Sequence, residues 1–125
     1  MSNKAEWKRL FDEEMRQAEK ARFDKNEGRA RVCARRAAGI LIGAYLSRRK
    51  IPKPGISVIE RFRVLENLPD ISTETKQIIH HLLLRVDHEH TLPAAVDLIV
   101  EVRQLEQELM SSDVSRHLEG GEESK

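Results

Sequence analysis

The chain has 125 residues; 34% are Asp, Glu, Lys or Arg, 39% are apolar, and the formal charge is +1. That length suits one domain, and the apolar share is enough for one core, which excludes wholesale disorder. A single cysteine, Cys33, excludes an internal disulfide and a multi-Cys zinc site. The N-terminus is charged from Lys4 onward, unlike a signal peptide. The longest apolar run, Ala37 to Leu46, is about half a membrane span. These features predict a soluble, cytoplasmic protein. The aromatics are only Trp7, Phe11, Phe23, Tyr45 and Phe62, so aliphatic residues and alanine must fill most of the core.

From Lys4 to about Asp24 the apolar residues Trp7, Leu10, Phe11, Met15 and Ala18 recur at steps of three and four, which predicts an amphipathic helix. Lys25-Asn26-Glu27-Gly28 has turn chemistry and breaks it. A second helix is expected from about Gly28 to Arg49. Its centre, Ala37 to Leu46, is apolar on every side, the mark of a helix central in a bundle or covered by a partner. Gly39 and Gly43 share one face of it. Glycine in a helix costs about 1 kcal/mol against alanine, so two of them suggest a close backbone approach, either a local packing groove or a subunit contact. Ile51-Pro52-Lys53-Pro54-Gly55 should end the helix, because proline lacks the amide hydrogen.

Ser57 and Glu60 resemble a capping box opening a short third helix, with Ile59, Phe62 and Leu65 inward. After Pro69-Asp70, Ser72 can cap a fourth helix to about Leu84, with Ile78, Ile79, Leu82 and Leu83 as its apolar face. Thr91-Leu92-Pro93 signals a fifth start, Pro93 suiting a first turn; Val96, Ile99, Val102, Leu105 and Leu109 keep the rhythm to about Met110. No strand pattern or repeat is visible. The expected architecture is an all-α antiparallel bundle of about five helices over residues 1–110, followed by a polar, disordered tail over 111–125.

The near-zero charge is a sum of opposites. Residues 1–53 carry 15 basic and 7 acidic residues, and residues 54–125 carry 7 basic and 14 acidic. From Arg29 to Lys53 there are eight cations and no acid: Arg29, Arg31, Arg35, Arg36, Arg48, Arg49, Lys50 and Lys53. Such a stretch can contact phosphate, pair with the acidic half of the fold or of a second subunit, or simply form a solvated face.

Four histidines, His80, His81, His88 and His90, fall close together with Asp87 and Glu89. Tetrahedral zinc needs three or four such ligands, but no i, i+4 histidine pair occurs, so these are read as solvent-facing or hydrogen-bonded rather than as a metal site. No cofactor is implied. Cys33 reads as a small core hydrophobe. Arg85 with His90 is the remaining candidate. The planar arginine fork can hold a phosphate and stabilise charge building on it. Histidine titrates near neutrality and can move a proton to or from a ribose hydroxyl. Such a pair can cleave RNA without a metal.

Taken together, the order and pattern of these segments resemble the HEPN domain, a helical nucleotide-binding family. CARRAAGILIGAYLSRRKIPKPG is similar to that family's second helix, SVIERFRVLENL and TETKQIIHHLLL follow in the same order, and Arg85-x4-His90 stands just before the last long helix. Val86 departs from the polar residue often found after the arginine, and Gly39 and its apolar neighbours replace polar positions of the second helix. The resemblance implies a homodimer with both Arg–His motifs facing a shared cleft and RNA or a nucleotide as ligand. Some members are metal-independent endoribonucleases; many are noncatalytic or act beside a nucleotidyltransferase partner in toxin–antitoxin pairs. On this reading Arg85 and His90 carry the site, while Arg31, Arg35, Arg36, Arg48 and Arg49 hold the phosphate backbone. The alternative is a noncatalytic homodimer or partner-docking module presenting the apolar second helix.

Overall fold

The computed structural model describes residues 3–51, 57–84 and 96–111. They form an all-α bundle: α1 (Asn3–Phe23), α2 (Glu27–Arg48), α3 (Val58–Glu66), α4 (Thr73–Leu84) and α5 (Leu98–Glu106), the last widening into a π turn at Gln107–Ser111. No strand occurs among the described residues. Of the tail expected over 111–125, Ser111 belongs to the π turn, and residues 112–125 lie outside the described residues.

α1 and α2 make an antiparallel hairpin. Both end the same way, at a residue in the left-handed region where glycine is usual. Lys25 has φ 64° and Lys50 φ 59°. Asn26 N–H donates to the Ala21 carbonyl and Lys25 N–H to that of Arg22. Ile51 N–H donates to Leu46 and Lys50 N–H to Ser47 in the same pattern. This double bond closes the orphan carbonyls of a helix end. α2 therefore stops before Pro52, not because of it. Asn26 then caps α2, its side chain accepting from Arg29 N–H at 3.1 Å.

Ser57 caps α3 by accepting from Glu60 N–H, and the Ser72 hydroxyl accepts from Thr75 N–H at 3.0 Å before α4. The start expected at Thr91-Leu92-Pro93 lies outside the described residues, among which α5 begins at Leu98. Asp97 is extended and its carboxylate accepts from the N–H groups of Ile99 and Val100, so the helix starts at Leu98. This cap bonds two of the orphan amides of the first turn.

α2 is central, as its all-round apolar middle predicts; it packs on α1, α3 and α5. Ala30, Cys33, Ala34, Ala37, Ala38, Leu41, Ile42 and Leu46 are buried along it. The alanines let α1 approach, offering Phe11, Met15, Ala18 and Ala21. Leu10, expected inward, is 40% exposed. It sits one residue, or about 100°, from Phe11, and this turns it away from α2 and α5. Gly39 and Gly43 seat α3. A Cβ on Gly39 would lie 2.9 Å from Val58 Cγ2, and one on Gly43 would lie 2.8 Å from Arg61 Nη1. Arg61 Nη1 also donates to the Gly39 carbonyl at 2.9 Å. Within the chain, then, the glycine step is a packing groove for α3.

Candidate functional site

The ion pairs fix the directions of the helices. Lys8 bonds Glu106, Arg103 bonds Glu19 and Arg22 bonds Asp97, so α5 runs antiparallel to α1 and parallel to α2. The Ser72 hydroxyl bonds Glu108 near the start of α4, and His81 bonds Glu101 near its end, so α4 runs antiparallel to α5. The C-terminal ends of α1 and α4 and the N-terminal ends of α2 and α5 therefore share one pole of the bundle.

Arg85 and His90, the central pair of the sequence reading, lie outside the described residues, as do His88, Asp87 and Glu89. Their flanks do not. Leu84, which precedes Arg85, and Val96, which follows the segment, both lie at this pole. So does the first half of α2.

The five candidate arginines, Arg31, Arg35, Arg36 and Arg48 of α2 and Arg49 at its C-cap, do not act together. Arg31 and Arg48 are separated by about 26 Å along the helix at 1.5 Å per residue, so they cannot serve one phosphate cluster. Arg48 Nη1 lies 3.3 Å from the Met110 sulfur. Arg49 donates to the Tyr45 hydroxyl at 2.9 Å and pairs with Asp70 at 3.1 Å, and both partners hold its pKa above the ordinary arginine value. These two stitch the far end of α2 to the π turn and to the α3–α4 connection.

At the near pole, Arg31 and Arg35 are four apart on one side of α2. Arg35 Nε donates to the Leu82 carbonyl at 3.0 Å, and its Nη2 is fully buried. Arg36 lies some 140° from Arg31, on an outer face with exposed Arg29 and Val32. Among the described residues the side chains of Arg29, Arg31 and Arg36 have no acidic partner within ion-pair distance. The acids of α5 are spent elsewhere: Asp97 and Glu106 on α1, and Glu101 on His81 of α4. Among the described residues α5 thus makes no ion pair with Arg29, Arg31 or Arg36, while Glu27 acts on Arg31 through space.

Around Arg22 the electrostatics are tight. Its guanidinium bonds both oxygens of Glu27 and both of Asp97. The hydrogen bond from Arg22 holds the Glu27 carboxyl below its ordinary value, against the opposing effect of burial. Burial alone would lower the Lys8 pKa, but its hydrogen bonds to Glu106 and Asp12 raise it.

Sequence reasoning missed the pairing of His81 with Glu101. His81 Nδ1 lies 2.7 Å from Glu101 Oε1, and Gln77 Nε2 lies 3.3 Å from His81 Nε2. The partners are 20 residues apart, and no local pattern announces them. His80 is exposed, and no group of three metal-binding side chains occurs among the described residues. A groove of about 590 Å³ opens beside this pair between α4 and α5. Glu74, Glu101 and Glu108 line it with Gln77, Gln104 and Gln107, giving it the wrong sign for phosphate. Cys33 is 1% exposed, as a core hydrophobe should be.

No helix among the described residues is long and apolar enough to cross a membrane. The chain matches no family model, no curated protein and no solved structure. A functional reading therefore rests on the chain's own residues.

Proposed function

We propose that the chain is a HEPN-like RNA-binding helical protein, and that Arg85 and His90 form a metal-independent endoribonuclease site at the pole where α4 ends and α5 begins. The observation that supports the reading is the basic first half of α2 at that pole: Arg29, Arg31 and Arg36 form no ion pair among the described residues, Glu27 acting on Arg31 only through space, and Arg35 reaches the last turn of α4. Arginines outside ion pairs beside a helix end are suited to phosphate, which they hold by charge and planar donors.

The chemistry follows from the residue types. The ribose 2′-oxygen attacks the adjacent phosphorus as its proton passes to His90. The bond to the 5′-oxygen breaks, and that oxygen takes up a proton from the imidazole. The products are a 2′,3′-cyclic phosphate and a 5′-hydroxyl, with Arg85 stabilising the extra charge on the five-coordinate phosphorus. In this reading a second copy and a nucleotidyltransferase are partners; a free nucleotide is the smaller ligand of the same class.

A second reading has its own observation. Leu10 and Val32 are 40% and 41% exposed on α1 and α2, a start for a noncatalytic homodimer or docking surface. Incubating the protein with labelled single-stranded RNA in EDTA separates the two. Cleavage lost in His90→Ala and kept in His117→Ala supports the first; neither cleavage nor salt-sensitive binding supports the second.

A further inference from the structure

We infer that the acidic groove between α4 and α5 receives the basic outer face of α2 from a second copy of the chain. The inference names the surfaces through which two copies meet. It rests on charge and spacing among the described residues and stands apart from the endoribonuclease reading. The groove holds about 590 Å³ and is lined by Glu74, Glu101 and Glu108 with Gln77, Gln104 and Ile78. Glu101 bonds His81 and Glu108 bonds the Ser72 hydroxyl, while Glu74 forms no ion pair among the described residues. No lysine or arginine among the described residues lines it. The opposite charge stands on α2. Arg29, Val32 and Arg36 are exposed, follow one another at steps of three and four, and so form one stripe. Neither arginine forms an ion pair among the described residues. Each surface has the charge and the apolar centre that the other lacks a partner for.

The spacing supplies the register. Glu101, Gln104 and Glu108 also follow one another at steps of three and four, and all three line the groove. Seven residues span about 10 Å on either helix. The two series match residue for residue when α2 of one copy runs parallel to α5 of the other. Arg29 then stands opposite Glu101, Val32 opposite Gln104 and Arg36 opposite Glu108. Run antiparallel, Val32 would fall opposite Leu105, which is buried in the core. α4 completes the match. It runs antiparallel to α5, with His81 level with Glu101 and Ser72 level with Glu108. Ile78 is therefore level with Gln104, and Glu74 with Glu108. Val32 meets the apolar floor at Ile78, and Arg36 meets two carboxylates. Arg31, about 140° round α2 from Arg36, lies outside this contact.

Sedimentation equilibrium of the full chain, without RNA, tests the contact. Exposed ion pairs are individually weak and are screened by salt. The expected association is reversible and weakens about tenfold between about 0.05 M and 0.5 M salt. Arg36→Glu and Glu74→Lys each bring like charges together and should weaken it by about tenfold or more. Both side chains are exposed, so the fold is kept. The chain carrying both substitutions regains an opposite-charge pair and should associate more tightly than either single variant. Arg63→Glu, an equal charge change at an exposed site on α3, should match wild type. A protein that stays monomeric at every concentration overturns the inference. So does an association that Arg36→Glu and Glu74→Lys leave unchanged, or one that the double substitution does not recover. No RNA enters the measurement, so failure here leaves the endoribonuclease reading to be judged by its own cleavage assay.

Discussion

Arg35 Nε donates to the main-chain carbonyl of Leu82 at 3.0 Å, joining residues 47 apart in sequence. The bond ties the central helix to the end of α4, and it gives one of five candidate phosphate-binding arginines a structural task. The remaining four divide by position, and so do their expected effects.

Arg31→Ala is expected to weaken binding of single-stranded RNA and to reduce the slope of log affinity against log salt by about 0.7, the value for one lost contact to a single strand. Arg48→Ala is expected to leave that slope unchanged, because Arg48 lies at the opposite end of α2 against Met110. Fluorescence anisotropy titrations at several salt concentrations check both. Equal slopes for Arg31→Ala and wild type would remove Arg31 from the interface.

The glycine groove predicts an asymmetry. Gly39→Ala places a methyl 2.9 Å from Val58 Cγ2 and 3.0 Å from Cγ1, a branched side chain close to its own backbone, so α3 must shift. Overpacking of this kind outweighs the gain in helix propensity and should cost about 1–2 kcal/mol in urea unfolding. Gly43→Ala meets only the tip of the Arg61 side chain, which can swing aside, and should cost less. Val58→Ala should recover most of the Gly39→Ala loss in a double-mutant cycle.

Lys25 and Lys50 hold left-handed conformations at two helix ends of the same pattern. A side chain there is strained by roughly 1 kcal/mol, and glycine is not. Lys25→Gly and Lys50→Gly should each stabilise the protein by about 0.5–1 kcal/mol in thermal melts, net of the greater backbone entropy glycine brings to the unfolded chain. Destabilisation by either would mean that its lysine side chain does more than the backbone geometry shows.

Glu27 gives a pH dependence of definite sign. Arg22 depresses its pKa in the folded state, so its contribution is present at neutral pH and is lost as pH falls through the folded-state value. Both side chains are partly solvated, at 37% and 47% exposure, so the effect is small and screened by salt. Glu27→Gln should melt below wild type at about pH 6, with the gap closing toward about pH 3 and also in about 1 M salt. A gap that widens on acidification would contradict the pairing.

The helices were legible in the sequence because each signal was local: three-and-four spacing for the buried faces, Ser57 and Ser72 as caps, an all-round apolar centre for the most buried helix. What escaped notice depends on neighbours distant in the chain. Leu10 has the right spacing to be inward, but the two helices beside α1 take the sector centred on Phe11 and Met15. Whether Gly39 and Gly43 serve a groove or a subunit contact turns on where Val58 and Arg61 land. Asp97 caps α5 through two bonds that only the fold displays. Of the candidate site, Arg85 and His90 are named from residue type and order alone and lie outside the described residues, whereas the contacts of Arg35, Arg48 and Arg49 are with partners no spacing rule connects.

The central claim is tested most directly by one gel experiment: labelled single-stranded RNA incubated in EDTA with wild type, His90→Ala and His117→Ala, reading bound and cleaved RNA over a range of salt. The account predicts metal-free cleavage to 2′,3′-cyclic phosphate ends, lost in His90→Ala, kept in His117→Ala, and weakening steeply with salt. Intact RNA in every lane, with no salt-sensitive complex, would contradict it.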